Sequence, residues 1–190
     1  LLECYNFCIN ETMNIRSLFR KSKQSIKRRD VIVIIAAVIA FIAISLPTIA
    51  NSSIWFDEAF SAYLIRFNPI EIWNYTSADV HPPLYYWLLK GWSLLFGTTD
   101  LALRSMSVLF GAVAIVFSYL ILHRSFGRKA AIYGLIALVL SPILIRYSQE
   151  MRMYTMVVAI ALAATYVLQR ATEKGSRKLW VTYGVLISLG

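Results

Sequence analysis

Asp57 and Glu58 stand side by side in Trp55-Phe56-Asp57-Glu58, a few residues past a long apolar run. Adjacent carboxylates there can cap a helix end in solvent. They can also serve acid-base chemistry, because desolvation among aromatics near a membrane tunes a carboxylate toward general-base strength. His81-Pro82-Pro83 follows. Its prolines fix φ twice and hold the preceding residue extended, so the imidazole direction is set. Such a turn can simply lead into a helix, or it can aim a histidine at a phosphate or a metal, with Asp79 orienting it. Arg104 lies after Gly97-Thr98-Thr99-Asp100. An arginine there can snorkel to the interface, or present its fixed fork to phosphate oxygens. The last dense cluster is Gln149-Glu150-Met151-Arg152-Met153-Tyr154, where Glu150 and Tyr154 share a face if the segment is helical. Carboxylates, a histidine and guanidiniums together are what a reaction at a phosphate needs. No P-loop, zincin helix or nucleophile elbow occurs.

The elements that must position these groups are apolar. The 190 residues are 58% hydrophobic and 15% charged, with a mean hydropathy of +0.62. Soluble domains run about 45–50% apolar and about 25% charged. Val31 to Ala50 carries no charge, and about 20 apolar residues cross a ~30 Å hydrocarbon core. A signal peptide has a shorter apolar core, of about 7–15 residues. Further apolar segments are Ser105–Leu122, Ala130–Ile145, Met153–Leu168 and a run from Leu179. The expected class is therefore an all-α, multi-span integral membrane protein.

Between the first span and Pro83, the rings of Trp55, Phe56, Phe60, Tyr63, Phe67, Trp73 and Tyr75 are concentrated. Phe60, Tyr63, Leu64 and Phe67 recur at helical spacing, which predicts a short amphipathic helix lying in the interface. Asn68-Pro69 ends it, and a second short helix is expected over Ile70–Tyr75. Leu84–Gly97 is apolar but short for a span and interrupted by Lys90 and Gly91.

The net charge of +9 is distributed by loop rather than gathered in a patch. Arg16, Arg20, Lys21, Lys23, Lys27, Arg28 and Arg29 precede the first span, which reads as a basic cytoplasmic N-terminus over 1–30 and not as a nucleic-acid site. If Leu84–Gly97 lies in the interface, 14 of the 19 Lys and Arg fall on the cytoplasmic side. That arrangement puts 51–104 and the loop around Arg146–Arg152 outside, with Asp57, Glu58, Asp79, His81, Arg104, Glu150 and Arg152 on one extracytoplasmic surface. Cys4 and Cys8 match no metal framework. The chain opens without Met, and the expectation is that 31–190 is the N-terminal portion of a longer transmembrane domain.

The motifs Trp55-Phe56-Asp57-Glu58-Ala59-Phe60-Ser61, His81-Pro82-Pro83-Leu84-Tyr85-Tyr86, Phe96-Gly97 with Arg104-Ser105, Ser141-Pro142 and Ser148-Gln149-Glu150-Met151-Arg152-Met153-Tyr154 follow one another. In that order they resemble the N-terminal half of GT-C glycosyltransferases of the dolichyl-phosphate-mannose protein mannosyltransferase type. The resemblance implies a helical membrane enzyme that takes a mannose-like sugar from a polyprenyl-phosphate carrier to a hydroxyl acceptor on protein, lipid or polymer. It implies Asp57 as catalytic base, Glu58 assisting the acceptor, and Arg104 as a residue associated with activity. Related aminoarabinose transferases carry a lysine where His81 stands. Metal use varies in the family, so a divalent metal stays open and no cofactor is assigned. On this reading Asp57 deprotonates the acceptor as it attacks the anomeric carbon with inversion. His81, Arg104 and Arg152 neutralise the departing phosphate, and Glu150 belongs to the same substrate-binding group. The competing readings are a lipid or sugar transporter, or an inactive truncated subunit. Transport calls for ionisable groups near the bilayer midplane, whereas here they gather on one face.

Overall fold

The computed structural model describes residues 25–49, 53–78 and 82–189, which form nine helices and, among those residues, no strand. In chain order they are α1 (Arg28–Ser45), α2 (Phe56–Leu64), α3 (Pro69–Ala78), α4 (Leu84–Phe96), α5 (Asp100–Phe126), α6 (Arg128–Val139), α7 (Pro142–Ser148), α8 (Tyr154–Lys174) and α9 (Arg177–Leu189). The chain is an all-α membrane protein. By length and composition α5 and α8 can cross a membrane, and α6 with α7 makes a third span if that bent pair is one.

Helix α5 is the axis of the molecule, and α1, α4, α6, α7 and α8 all pack on it. Toward one end, Phe41 and Ala37 of α1 meet Val108, Ala112, Ile115 and Tyr119 of α5 and Ala131, Leu135 and Val139 of α6. Gly111 makes this approach possible, since a Cβ there would come within 2.7 Å of the Phe41 ring. Small residues at helix crossings serve this purpose in lipid, where packing replaces the hydrophobic drive. A second core joins Leu64 and Ile72, from α2 and α3, to Tyr85, Tyr86 and Leu89 of α4, Met106 of α5 and Met156 of α8. Outward, α1 exposes Ile32, Ile35 and Ile39 at 3- and 4-residue spacing. An apolar stripe facing away from the protein is what a lipid-facing helix presents.

The 20-residue apolar run is helical only as far as Ser45, within α1. Pro47 lies just beyond, and a proline cannot continue the hydrogen-bond ladder. Arg28, Arg29 and Asp30 occupy the first turn, so α1 falls outside the helices long and apolar enough to span. The two short helices expected in the aromatic loop are present as α2 and α3. Asn68 caps α3 by accepting from the amides of Ile70 and Glu71, each at 2.9 Å, while Glu71 accepts from the amide of Asn68 at 2.9 Å. This reciprocal cap fixes the break that Asn68-Pro69 signals. Helix α4 has 13 residues. At 1.5 Å per residue it reaches roughly 20 Å, less than the hydrocarbon core.

The Ala130–Ile145 segment is not one straight helix. It bends by 57° between α6 and α7. Ser141 precedes Pro142, which disfavours helical backbone at the serine. Ser141 is extended, and its hydroxyl accepts from the Leu144 amide to start α7 afresh.

Candidate active site

Helix α2 begins at Phe56, so Asp57 and Glu58 occupy its first turn, where carboxylates oppose the positive end of the helix dipole. Successive helical residues point about 100° apart, and the two side chains have different fates. Glu58 turns inward and is 1% exposed. Its carboxylate accepts from Arg104 Nε at 2.9 Å and Nη2 at 2.7 Å, and from the Met151 amide at 2.9 Å. Asp57 stays partly in the open, its side chain 34% exposed, with Oδ2 3.4 Å from Arg152 Nη2.

Arg104 comes from the first turns of α5, which Thr99 starts by accepting from the Ala102 amide. Besides Glu58, it donates Nη1 to the Ile49 carbonyl at 2.6 Å. One guanidinium thus ties the end of the α1 segment, α2 and α5 together. Arg152 is buried, with its guanidinium 5.7 Å from the Tyr154 ring centroid. The loop that carries it is fixed from below by Ser107 of α5, whose hydroxyl donates to the Glu150 carbonyl at 2.6 Å. Gln149 of the same loop donates to the Ser45 carbonyl at 3.1 Å and to Thr48.

Above this frame opens a cleft of about 520 Å³, lined by Trp55, Glu58, Arg104, Arg146, Glu150 and Tyr154 among others. Glu150 faces Arg146 Nε at 3.7 Å. Burial holds the Glu150 carboxyl above the usual carboxylate range; Arg146 draws it down and Glu58 pushes it up.

Of the residues expected from the sequence, Asp57, Glu58, Arg104, Glu150 and Arg152 therefore form one cluster. His81 and Asp79 lie outside the described residues. Glu58 and Arg104 are bonded to each other while both line the cleft. Among the described residues, no group of three or more His, Cys, Asp or Glu could hold a metal ion. Sequence reasoning did not single out Arg146 or Ser107. Arg146 reads as part of a short loop, and a serine in an apolar helix carries no signal beyond its small size.

Residues 80–190, more than half of the chain, match the family model for dolichyl-phosphate-mannose-protein mannosyltransferase. The matched stretch holds Arg104, Glu150 and Arg152, and Arg104 links it to Glu58 on the preceding segment. No curated protein and no solved structure matches the chain.

Proposed function

The chain belongs to the dolichyl-phosphate-mannose-protein mannosyltransferase family, a group of membrane glycosyltransferases of the GT-C type, and we propose that its Asp57 is the general base of sugar transfer. The donor is a polyprenyl-phosphate-linked, mannose-like sugar, and the acceptor is a hydroxyl on protein, lipid or polymer. The active face is extracytoplasmic.

The contrast between two neighbouring carboxylates carries this reading. Glu58 has its oxygens committed to Arg104 and the Met151 amide, so its part is to hold the frame. Asp57, one residue earlier, keeps its side chain 34% exposed, which leaves it open to an acceptor. In the reaction Asp57 accepts the acceptor's proton while the freed oxygen pair bonds the anomeric carbon. The bond from that carbon to the carrier oxygen breaks on the opposite face, its electron pair leaves with the phosphate, and the configuration inverts. Arg152, 3.4 Å from Asp57, orients its carboxylate until the acceptor arrives. Arg104, paired with Glu58, holds the cleft wall in place, and His81 is retained from the sequence pattern as a ligand of the phosphate.

The test is Asp57→Asn in the full protein, reconstituted in vesicles and supplied with polyprenyl-phosphate sugars. Loss of a positioned base lowers turnover about 10²–10⁴-fold. Transfer at the wild-type rate by the variant overturns the assignment.

A further inference from the structure

Two guanidiniums, Arg104 and Arg146, line the cleft, and a third, Arg152, lies beside Asp57. Arg104 is 1% exposed and spends Nε and Nη2 on Glu58 and Nη1 on Ile49. Arg152 is 5% exposed and faces Asp57. Arg146 differs in every respect: its side chain is 80% exposed, its ion pair with Glu150 is stretched to 3.7 Å, and it stands on the wall of the cleft. Exposed i,i+4 pairs of this kind are weak and easily exchanged. A guanidinium fork matches phosphate oxygens two at a time, a stronger arrangement than one long contact to a carboxylate.

We propose that Arg146 leaves Glu150 to bind the phosphate of the polyprenyl-linked donor in this cleft. The inference rests on the glycosyltransferase reading above and gives the carrier phosphate a ligand that the sequence pattern did not mark. Trp55, Tyr147 and Tyr154 line the same cleft. A lipid headgroup at the rim would need none of these rings, which favours the donor over bulk phospholipid.

The experiment measures binding of polyprenyl monophosphate to the detergent-solubilised full chain by tryptophan fluorescence, with neutral polyprenol and phosphatidylglycerol vesicles as parallel ligands. Arg146→Gln is expected to weaken polyprenyl monophosphate roughly tenfold or more, the scale of a lost charged hydrogen bond, and to leave polyprenol unchanged. Arg146→Lys, which restores the charge without the fork, recovers part of the loss. Glu150→Gln tightens binding, because it removes the competing partner. Wild-type affinity in Arg146→Gln overturns the proposal and leaves the glycosyltransferase reading standing. Equal loss for phosphatidylglycerol and polyprenyl monophosphate overturns it in favour of a headgroup site. No binding of polyprenyl monophosphate by the wild-type chain overturns both readings.

Discussion

Glu58 and Arg104 are 46 residues apart in sequence and meet through two hydrogen bonds of 2.9 and 2.7 Å, each side chain 1% exposed. The Met151 amide and the Ile49 carbonyl complete the contact, so four segments converge on one ion pair. Two charges withdrawn from solvent are costly unless geometry and extra hydrogen bonds compensate. Here both conditions hold.

Breaking that pair strands a buried charge. Glu58→Gln or Arg104→Met alone is expected to cost about 3–5 kcal/mol of stability, read as a lowered apparent Tm of the detergent-solubilised protein. The double variant recovers part of the loss, because no lone charge remains. A melting temperature unchanged in both single variants contradicts the structural role.

Ser107 is the support under the Glu150–Arg152 loop. Ser107→Ala removes the donor to the Glu150 carbonyl and costs about 0.5–1.5 kcal/mol. If the serine positions the loop, kcat falls by more than the stability loss explains, and Ser107→Thr restores it. Equal turnover in the alanine variant would leave the serine a packing residue only.

Away from the cleft, Asp30 is 2% exposed and accepts from Tyr119 and Arg128, each at 2.9 Å, and from the Lys27 amide at 2.8 Å; His123 stands 3.9 Å away. This carboxylate fastens the start of α1 to α5 and α6. Asp30→Asn is expected to lower stability by about 1.5–3 kcal/mol, the range of charged hydrogen bonds. Since the cluster is remote from Asp57, sugar transfer by the folded fraction stays unchanged. Thermal unfolding and specific activity, measured together, check both halves.

Glu150 supplies a pH dependence. Its carboxyl is raised in the folded protein by burial, so the folded state holds this proton more tightly than the unfolded chain does. The resulting stabilisation is present below the ordinary Glu value and is lost as pH rises through the raised one. Glu150→Gln should flatten this part of the stability curve above about pH 4.5, seen in apparent Tm measured across pH. An identical curve in the variant removes Glu150 as the source.

Much of this protein was legible from residue order alone. Apolar length gave an all-α membrane class, because only a helix satisfies its own backbone in lipid. Asn68-Pro69 marked the break between α2 and α3, since capping chemistry and a missing amide are local properties. The charged residues of the short motifs pointed to one cluster, and five of them meet. The sequence was less informative where partners are distant. The 20-residue apolar run stops as a helix at Ser45, and Ala130–Ile145 bends at Ser141-Pro142. Both follow from proline chemistry, but how far the chain then turns depends on what it packs against.

Types and spacing by themselves determined which groups could do chemistry: Asp57 with Glu58, Arg104, Glu150 and Arg152. Only the tertiary structure decided where each of them sits and which partner it meets. Glu58 and Arg104 are buried and bonded to each other on the cleft wall, whereas Asp57, one position earlier, keeps its side chain 34% exposed and faces Arg152. The physical reason is geometric. A helix sends neighbouring side chains in different directions, and which direction is buried depends on contacts made 46 residues away.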